Sequence, residues 1–168
     1  MDVFSHALWG GVVAGRKNKS YFWWAFGLGL FPDAASFGIL MVARILGIAQ
    51  GPDFSNGHPD MSQIPHFVSV LYNITHSFIT FGLVFLLIWF LLKKPFWPLM
   101  AWGFHIFLDI PSHSYQFFPT PFLWPISNFE INGINWGENI VFIPNVIFLI
   151  LLYLVWGISW WKKYKCKS

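Results

Sequence analysis

The apolar positions of this chain fall into long runs. They do not alternate as in a half-exposed strand, nor do they form the one-sided stripe of a soluble helix. One run extends from Tyr21 to Ile48 and is interrupted mainly at Pro32, Asp33 and Arg44. A second, from Phe67 to Leu92, is wholly apolar beyond Phe78 apart from Thr80 and Gly82. A third covers Pro95 to Ile110 and a fourth Asn139 to Trp161. Each is near or above the ~17 to 25 residues needed to cross a hydrocarbon core of about 30 Å, the third being the shortest. Residues 2–15 are apolar as well, and as a helix they would measure about 22 Å. They are not a signal peptide: Asp2 stands where a basic segment belongs, and no cleavage pattern precedes Arg16. The pattern predicts an all-α fold, one multi-pass membrane bundle of four transmembrane helices at about 21–48, 67–92, 95–110 and 139–161. The short N-terminal helix is either a fifth crossing or an interfacial helix, and residues 50–66 and 113–138 form the long loops.

Composition supports lipid as the solvent. Of 168 residues, 56% are hydrophobic and 10% charged, with a mean hydropathy of +0.56, against roughly 25% charged residues in an ordinary soluble domain. Ten Lys and Arg and seven Asp and Glu cannot cover a surface while 20 Phe, 11 Trp and 5 Tyr also need burial. No polar linker divides the chain, so a single domain is expected. The net charge of +3 matters less than its placement. Arg16, Lys17 and Lys19 lie in the first connection, Lys93 and Lys94 in the third, and Lys162, Lys163, Lys165 and Lys167 in the tail. Alternate connections share one side of a membrane, and the positive-inside rule makes that side the cytoplasm. Asp53, Asp60, Glu130 and Glu138 fall in the opposite loops. No nucleic-acid partner is implied; the bilayer is the expected partner, and a homo-oligomer is compatible with the pattern. Cys166 is the lone cysteine, so no internal disulfide forms.

Ionisable residues inside apolar runs are costly and therefore paired, cavity-lining or functional. Counted from the basic ends at 1.5 Å per residue, His6 lies at ~14 Å, Asp33 at ~18 Å, His76 at ~24 Å, His105 at ~15 Å and Asp109 at ~21 Å, in one slab about 10 Å thick. Arg44 lies outside it. His105 and Asp109 are four apart and share a helical face. Three histidines and two carboxylates suit zinc or manganese. His113 follows four residues later, but Pro111 is expected to break the helix, so His113 would reach back from the loop. Thr75 and Ser77 flank His76 and are candidates to fix its ring by hydrogen bonds. Asp33 has a second reading, as the cap of a helix starting after Pro32. His58 and His66 read as solvated loop residues. Unrelated structural pairs, or haem held by His76 and His105, are the other readings of the buried set. A small ion, proton or solute transporter would also place such groups at mid-membrane, although no repeated halves are visible.

Four segments taken in order, Ser5-His6-Ala7-Leu8-Trp9-Gly10, Phe31-Pro32-Asp33, Thr75-His76-Ser77 and His105-Ile106-Phe107-Leu108-Asp109 with Pro111 and His113, resemble the YdjM-type membrane-bound metal-dependent hydrolases. The loop from Phe118 to Pro125 resembles that family too, so the likeness runs from His6 to about Trp136. Leu71-Tyr72-Asn73 stands where many members carry His-Arg-Gly. The order of ligands is also similar to the zinc-dependent phospholipases C and P1-type nucleases. The resemblance implies His6, Asp33, His76, His105, Asp109 and His113 as ligands, with Asp109 as a candidate bridge. Those enzymes continue with a further His and an acid; here only Glu138 is available as an additional ligand, and one or two metal ions are expected. The implied activity is hydrolysis of an ester or phosphoester of a lipid-like substrate by a metal-activated water, with Asp33 as base and His76 in the catalytic set. The implied location is a prokaryotic cell (inner) membrane, with the C-terminus in the cytoplasm and the site towards the outer half.

Overall fold

A computed structural model describes the backbone of residues 1–50 and 63–165, and side chains as far as Ser159. Asp53, His58 and Asp60, and Cys166 and Lys167 of the tail, lie outside the described residues. Helix α1 runs Val3–Ala14, its start capped by Asp2, whose carboxylate accepts from the Ser5 N–H at 2.9 Å. Asn18 caps α2, Lys19–Asp33, in the same way through the Tyr21 N–H. A π-helical turn, Ala34–Gly38, leads directly into α3, Ile39–Ile45, so that Lys19–Ile45 is one helical rod of 27 residues. Then come α4, His66–Thr75, α5, Phe78–Leu92, α6, Met100–Ser112, and α7, Asn139–Lys165. Among the described residues there is no strand, only an isolated bridge between Ser114 and Phe117.

The all-helical expectation holds, but the count of four spanning helices is corrected. Among the described residues two single helices are long and apolar enough to cross a membrane, Lys19–Ile45 and Asn139–Ser159. The expected span 67–92 is split between α4 and α5, which meet at 58° and make a third crossing only if the bent pair is taken together. The break arises at His76 and Ser77. Ser77 takes an extended backbone and its hydroxyl accepts from Ile79 and Thr80, starting a new helix. The expected span 95–110 shortens because Pro98 sits in a 3-10 turn, Trp97–Leu99. The α-helix starts only at Met100, and its 13 residues measure about 20 Å. With 12 residues, α1 is about 18 Å long.

The polarity of this fold is inverted. Leu83, Leu86 and Phe90 of α5 and Ile147, Leu151, Leu154 and Ile158 of α7 are exposed, whereas His6, Asp33, His76, His105 and Asp109 are buried. An apolar exterior of this extent is of the kind that meets a membrane or a partner surface. Apolar packing still surrounds the polar centre. Leu99 of the 3-10 turn and Trp102 and Ile106 of α6 pack with Phe81 and Phe85 of α5, and Val68 and Tyr72 of α4 pack with Leu40 and Phe118.

Helices α1, α2 and α6 hold one another closely because small residues line the crossing. A Cβ on Gly29 would meet the His6 carbonyl oxygen at 2.5 Å, and one on Gly10 the Ala25 carbonyl oxygen at 2.5 Å. Backbone cannot yield as a side chain can. Gly29→Ala is therefore expected to destabilise the protein by about 1 to 3 kcal/mol, as overpacking does, and to push His6 away from α6. Thermal unfolding in detergent measures this; an unchanged transition would show that the two helices are not so closely locked.

Candidate metal centre

Each helix around the centre delivers one or two polar groups. His6 comes from α1, Asp33 from the last residue of α2, His76 from the joint between α4 and α5, and His105 and Asp109 from α6. Asp33 does not cap a helix starting after Pro32; Pro32 lies inside α2 and the helical path continues through the π turn. Single π turns often mark functional sites. Here the Pro32 carbonyl accepts from the Ser36 hydroxyl at 3.1 Å, and the Thr75 hydroxyl stands 3.3 Å from the same carbonyl, bringing α4 against α2 beside Asp33.

Asp33, His76, His105 and Asp109 each offer one ligand atom, all four atoms lying within 4.8 Å of one another. His105 Nε2 is 3.0 Å from Asp109 Oδ2 and 3.8 Å from Asp33 Oδ1. His76 Nε2 is 3.4 Å from Asp109 Oδ2 and 3.5 Å from Asp33 Oδ1. The two Nε2 atoms stand 3.1 Å apart.

The tautomers follow from the opposite edges of the rings. His105 Nδ1 lies 2.7 Å from the Gly29 carbonyl, and His76 Nδ1 lies 3.1 Å from the Tyr72 carbonyl. A carbonyl only accepts, so both Nδ1 atoms carry the proton. Thr75 completes this support: its hydroxyl donates to the Leu71 carbonyl at 2.8 Å and stands 3.1 Å from His76 Nδ1. In the neutral rings both Nε2 lone pairs then face each other and two carboxylates. Asp33 Oδ2 and Asp109 Oδ2 are buried without a hydrogen-bond partner; for Asp109 this holds despite the close His105 nitrogen. Such a constellation is costly in low dielectric unless a cation sits within it. A proton on one ring relieves one contact, whereas a divalent ion satisfies all four atoms. Two imidazole nitrogens and two carboxylate oxygens are a donor set that zinc accepts and manganese tolerates.

Asp109 also faces a second group through its other oxygen. Oδ1 is 2.6 Å from the Met1 amino group, 2.9 Å from His6 Nε2 and 3.3 Å from His113 Nε2. The amino group is 3.0 Å from His113 Nε2. His113 Nδ1, 2.7 Å from the Phe118 carbonyl, is its proton-bearing nitrogen. The His6 ring stacks on His105 at 3.6 Å. Asp109 thus connects two clusters. Pro111 does not break α6, contrary to expectation. It lies in the last turn, and His113 caps the helix with its N–H on the Asp109 carbonyl at 3.0 Å.

Two expected residues do not join the centre. Ser77 points the other way, its hydroxyl donating to the Trp124 carbonyl and capping α5. Glu138 is exposed, at a separate polar cavity with Tyr115, Asn132 and Asn135. Arg44 and His66 are exposed and apart from the cluster. The loop after α6 does cover the site: Phe118 is buried, and its carbonyl receives both His113 and the Tyr72 hydroxyl, the latter at 3.0 Å.

Tyr72 is the residue that the sequence reading missed. Its ring lies flat against His76, with centroids 3.8 Å apart, and its hydroxyl reaches the Phe118 carbonyl beside His113. The available signal was its position four residues before His76 on a helix. Tyr72→Phe keeps the stack and loses the hydroxyl. It is expected to weaken metal binding by about tenfold, the lower end for a group that orients a ligand, in a competition titration with a chromophoric chelator; unchanged affinity would reduce Tyr72 to packing.

The chain matches no family model, no curated protein and no solved structure.

Proposed function

We propose that the chain is a membrane-embedded, metal-dependent hydrolase acting on an ester or phosphoester of a lipid-like substrate. The observation that carries this reading is the convergence of two proton-fixed histidines and two carboxylates on one buried point, with one oxygen of each carboxylate lacking a hydrogen-bond partner. Zinc is the preferred ion, in one or two copies, and manganese is the alternative. When bound, a divalent metal supplies Lewis acidity towards a water molecule and a substrate oxygen. The chain's residues do the rest. Asp33, with one oxygen free of hydrogen bonds, accepts the proton from the attacking water. His76 and His105 are held in orientation by the Tyr72 and Gly29 carbonyls, and Asp109 joins their cluster to His6 and His113. The loop from Ser112 to Glu138 excludes bulk water and offers Phe and Trp side chains to an amphiphile.

The membrane setting is a bundle in which α2 with α3, the bent pair α4 and α5, short α6 and α7 all enter the bilayer around α1. The distribution of Lys and Arg favours a cytoplasmic C-terminus, and the segment likeness to YdjM-type hydrolases favours a prokaryotic inner membrane. A second reading, a non-catalytic metal protein or proton relay, draws on one observation: all six proposed ligands are at most 5% exposed. Haem between His76 and His105 does not fit, because nitrogens 3.1 Å apart leave no room for a macrocycle between the rings. The test uses wild-type protein purified in detergent, with elemental analysis followed by product release from phospholipid and from a generic phosphodiester. Stoichiometric metal with product release supports the hydrolase. Absence of metal overturns it, and metal without turnover on ester or phosphoester substrates transfers the site to the second reading.

A further inference from the structure

We infer that a second site, remote from the metal centre, binds the phosphate head group of an anionic membrane lipid. A cavity of about 510 Å³ opens between the α1–α2 connection and α7, lined by Arg16, Lys17 and Lys19 and by Trp23, Tyr153 and Trp156. Every ion pair among the described residues belongs to the buried His and Asp clusters, so no carboxylate among them neutralises these three cations. Lys17 instead holds its ammonium 5.1 Å from the Tyr21 ring centre.

The floor is fixed in advance. The Tyr153 hydroxyl donates to the Leu8 carbonyl at 2.9 Å, and Trp156 packs against Tyr153 and Phe22 with ring centres 5.7 and 5.6 Å away. A Cβ on Gly11 would meet the Phe22 ring at 2.5 Å, so the backbone of α1 closes directly on that floor.

The occupant follows from this combination. A soluble anion would use the cations and leave the aromatic floor idle, whereas a phospholipid offers a phosphate to the one and apolar glycerol and acyl carbons to the other. Position agrees: the cavity lies where the two helices apolar enough to span a membrane meet basic sequence, at the start of α2 and a few residues before Lys162. The inference rests on the membrane part of the proposed function and is independent of the metal.

The experiment places the full chain in nanodiscs of phosphatidylcholine with a minor fraction of phosphatidylglycerol, then extracts it and counts retained lipids by native mass spectrometry. The wild type is expected to retain phosphatidylglycerol preferentially. Arg16→Gln, Lys17→Gln and Lys19→Gln should each weaken that retention by about fivefold, since each cation near an anionic surface contributes about 1 kcal/mol. Trp156→Ala should weaken lipid retention while leaving the weak binding of inorganic phosphate unchanged. Equal retention of both lipids by the wild type, full retention by the triple Gln variant, or inorganic phosphate binding as tightly as the lipid overturns the inference. If alkaline carbonate strips the chain from the disc, the membrane reading falls and the inference with it. Loss of lipid preference in a chain that stays embedded overturns the inference alone.

Discussion

An Asp109→Asn protein is expected to bind zinc or manganese at least about a hundredfold more weakly than the wild type, beyond the loss usual for a group that only supports a ligand. Asparagine keeps the shape and removes the charge on which both clusters depend. Oδ2 faces His76 and His105, while Oδ1 faces His6, His113 and the Met1 ammonium. With the carboxylate gone, both clusters lose their shared buried acceptor, and breaking a buried pair from one side costs about 3 to 5 kcal/mol. Lower stability should therefore accompany the loss of metal. His105→Gln provides the control, because it removes a ligand nitrogen and leaves the shared carboxylate of Asp109 with His6, His76 and His113: it should lose metal and remain better folded than Asp109→Asn. Elemental analysis with a chelator competition reads the first effect and thermal unfolding the second. Stoichiometric metal retained in both variants would dismiss the cluster as a metal site.

Asp33→Asn separates binding from chemistry. Asp33 is the more distant acid, 3.5 Å from His76 and 3.8 Å from His105, and one of its oxygens has no hydrogen bond. The amide still offers an oxygen to a cation but cannot take up a proton. Metal affinity is expected to fall less than in Asp109→Asn, while turnover on phospholipid or a phosphodiester falls by about 10² to 10⁴, the range for losing a positioned base. His76→Ala should lose both metal and turnover. Turnover unchanged in a metal-loaded Asp33→Asn protein would remove Asp33 from the catalytic step, and a fall in turnover that merely tracks metal content would leave it as a ligand only.

The features legible in the sequence were those that depend on short-range geometry. His105 and Asp109 share a face of α6 because four residues make about one helical turn. Asp2 and Asn18, which cap α1 and α2, went unnoticed although their residue types favour such positions. His6, Asp33 and His76 enter through their position in the apolar runs and through the segment likeness, and Asp33 and His76 meet His105 and Asp109 although the helix of His76 is not continuous. What failed depended on local backbone choices that hydropathy does not register. Ser77 was assigned to the ring of His76, but its extended backbone starts α5 and turns the hydroxyl to Trp124. Pro111 was treated as a helix breaker, yet so near the helix end it is accommodated. Pro98 did shorten a span, through the 3-10 turn before Met100. Tyr72 could not be found from composition, because its role needs the break that lays its ring on His76 and the loop that carries Phe118 to its hydroxyl.

The shortness of α1 and α6 has a consequence for the bilayer itself. Helices of about 18 and 20 Å set into a hydrocarbon layer of about 30 Å leave a mismatch that lipids relieve by thinning locally. The two short helices carry His6, His105 and Asp109, so in the membrane setting proposed above the dimple would form around the candidate metal centre. On the proposed hydrolase reading, a lipid ester there would lie nearer the depth of the ligands before any protein group moves, and membrane thickness would become a variable of the reaction. Longer acyl chains would raise the elastic cost of that dimple without altering a single residue of the site.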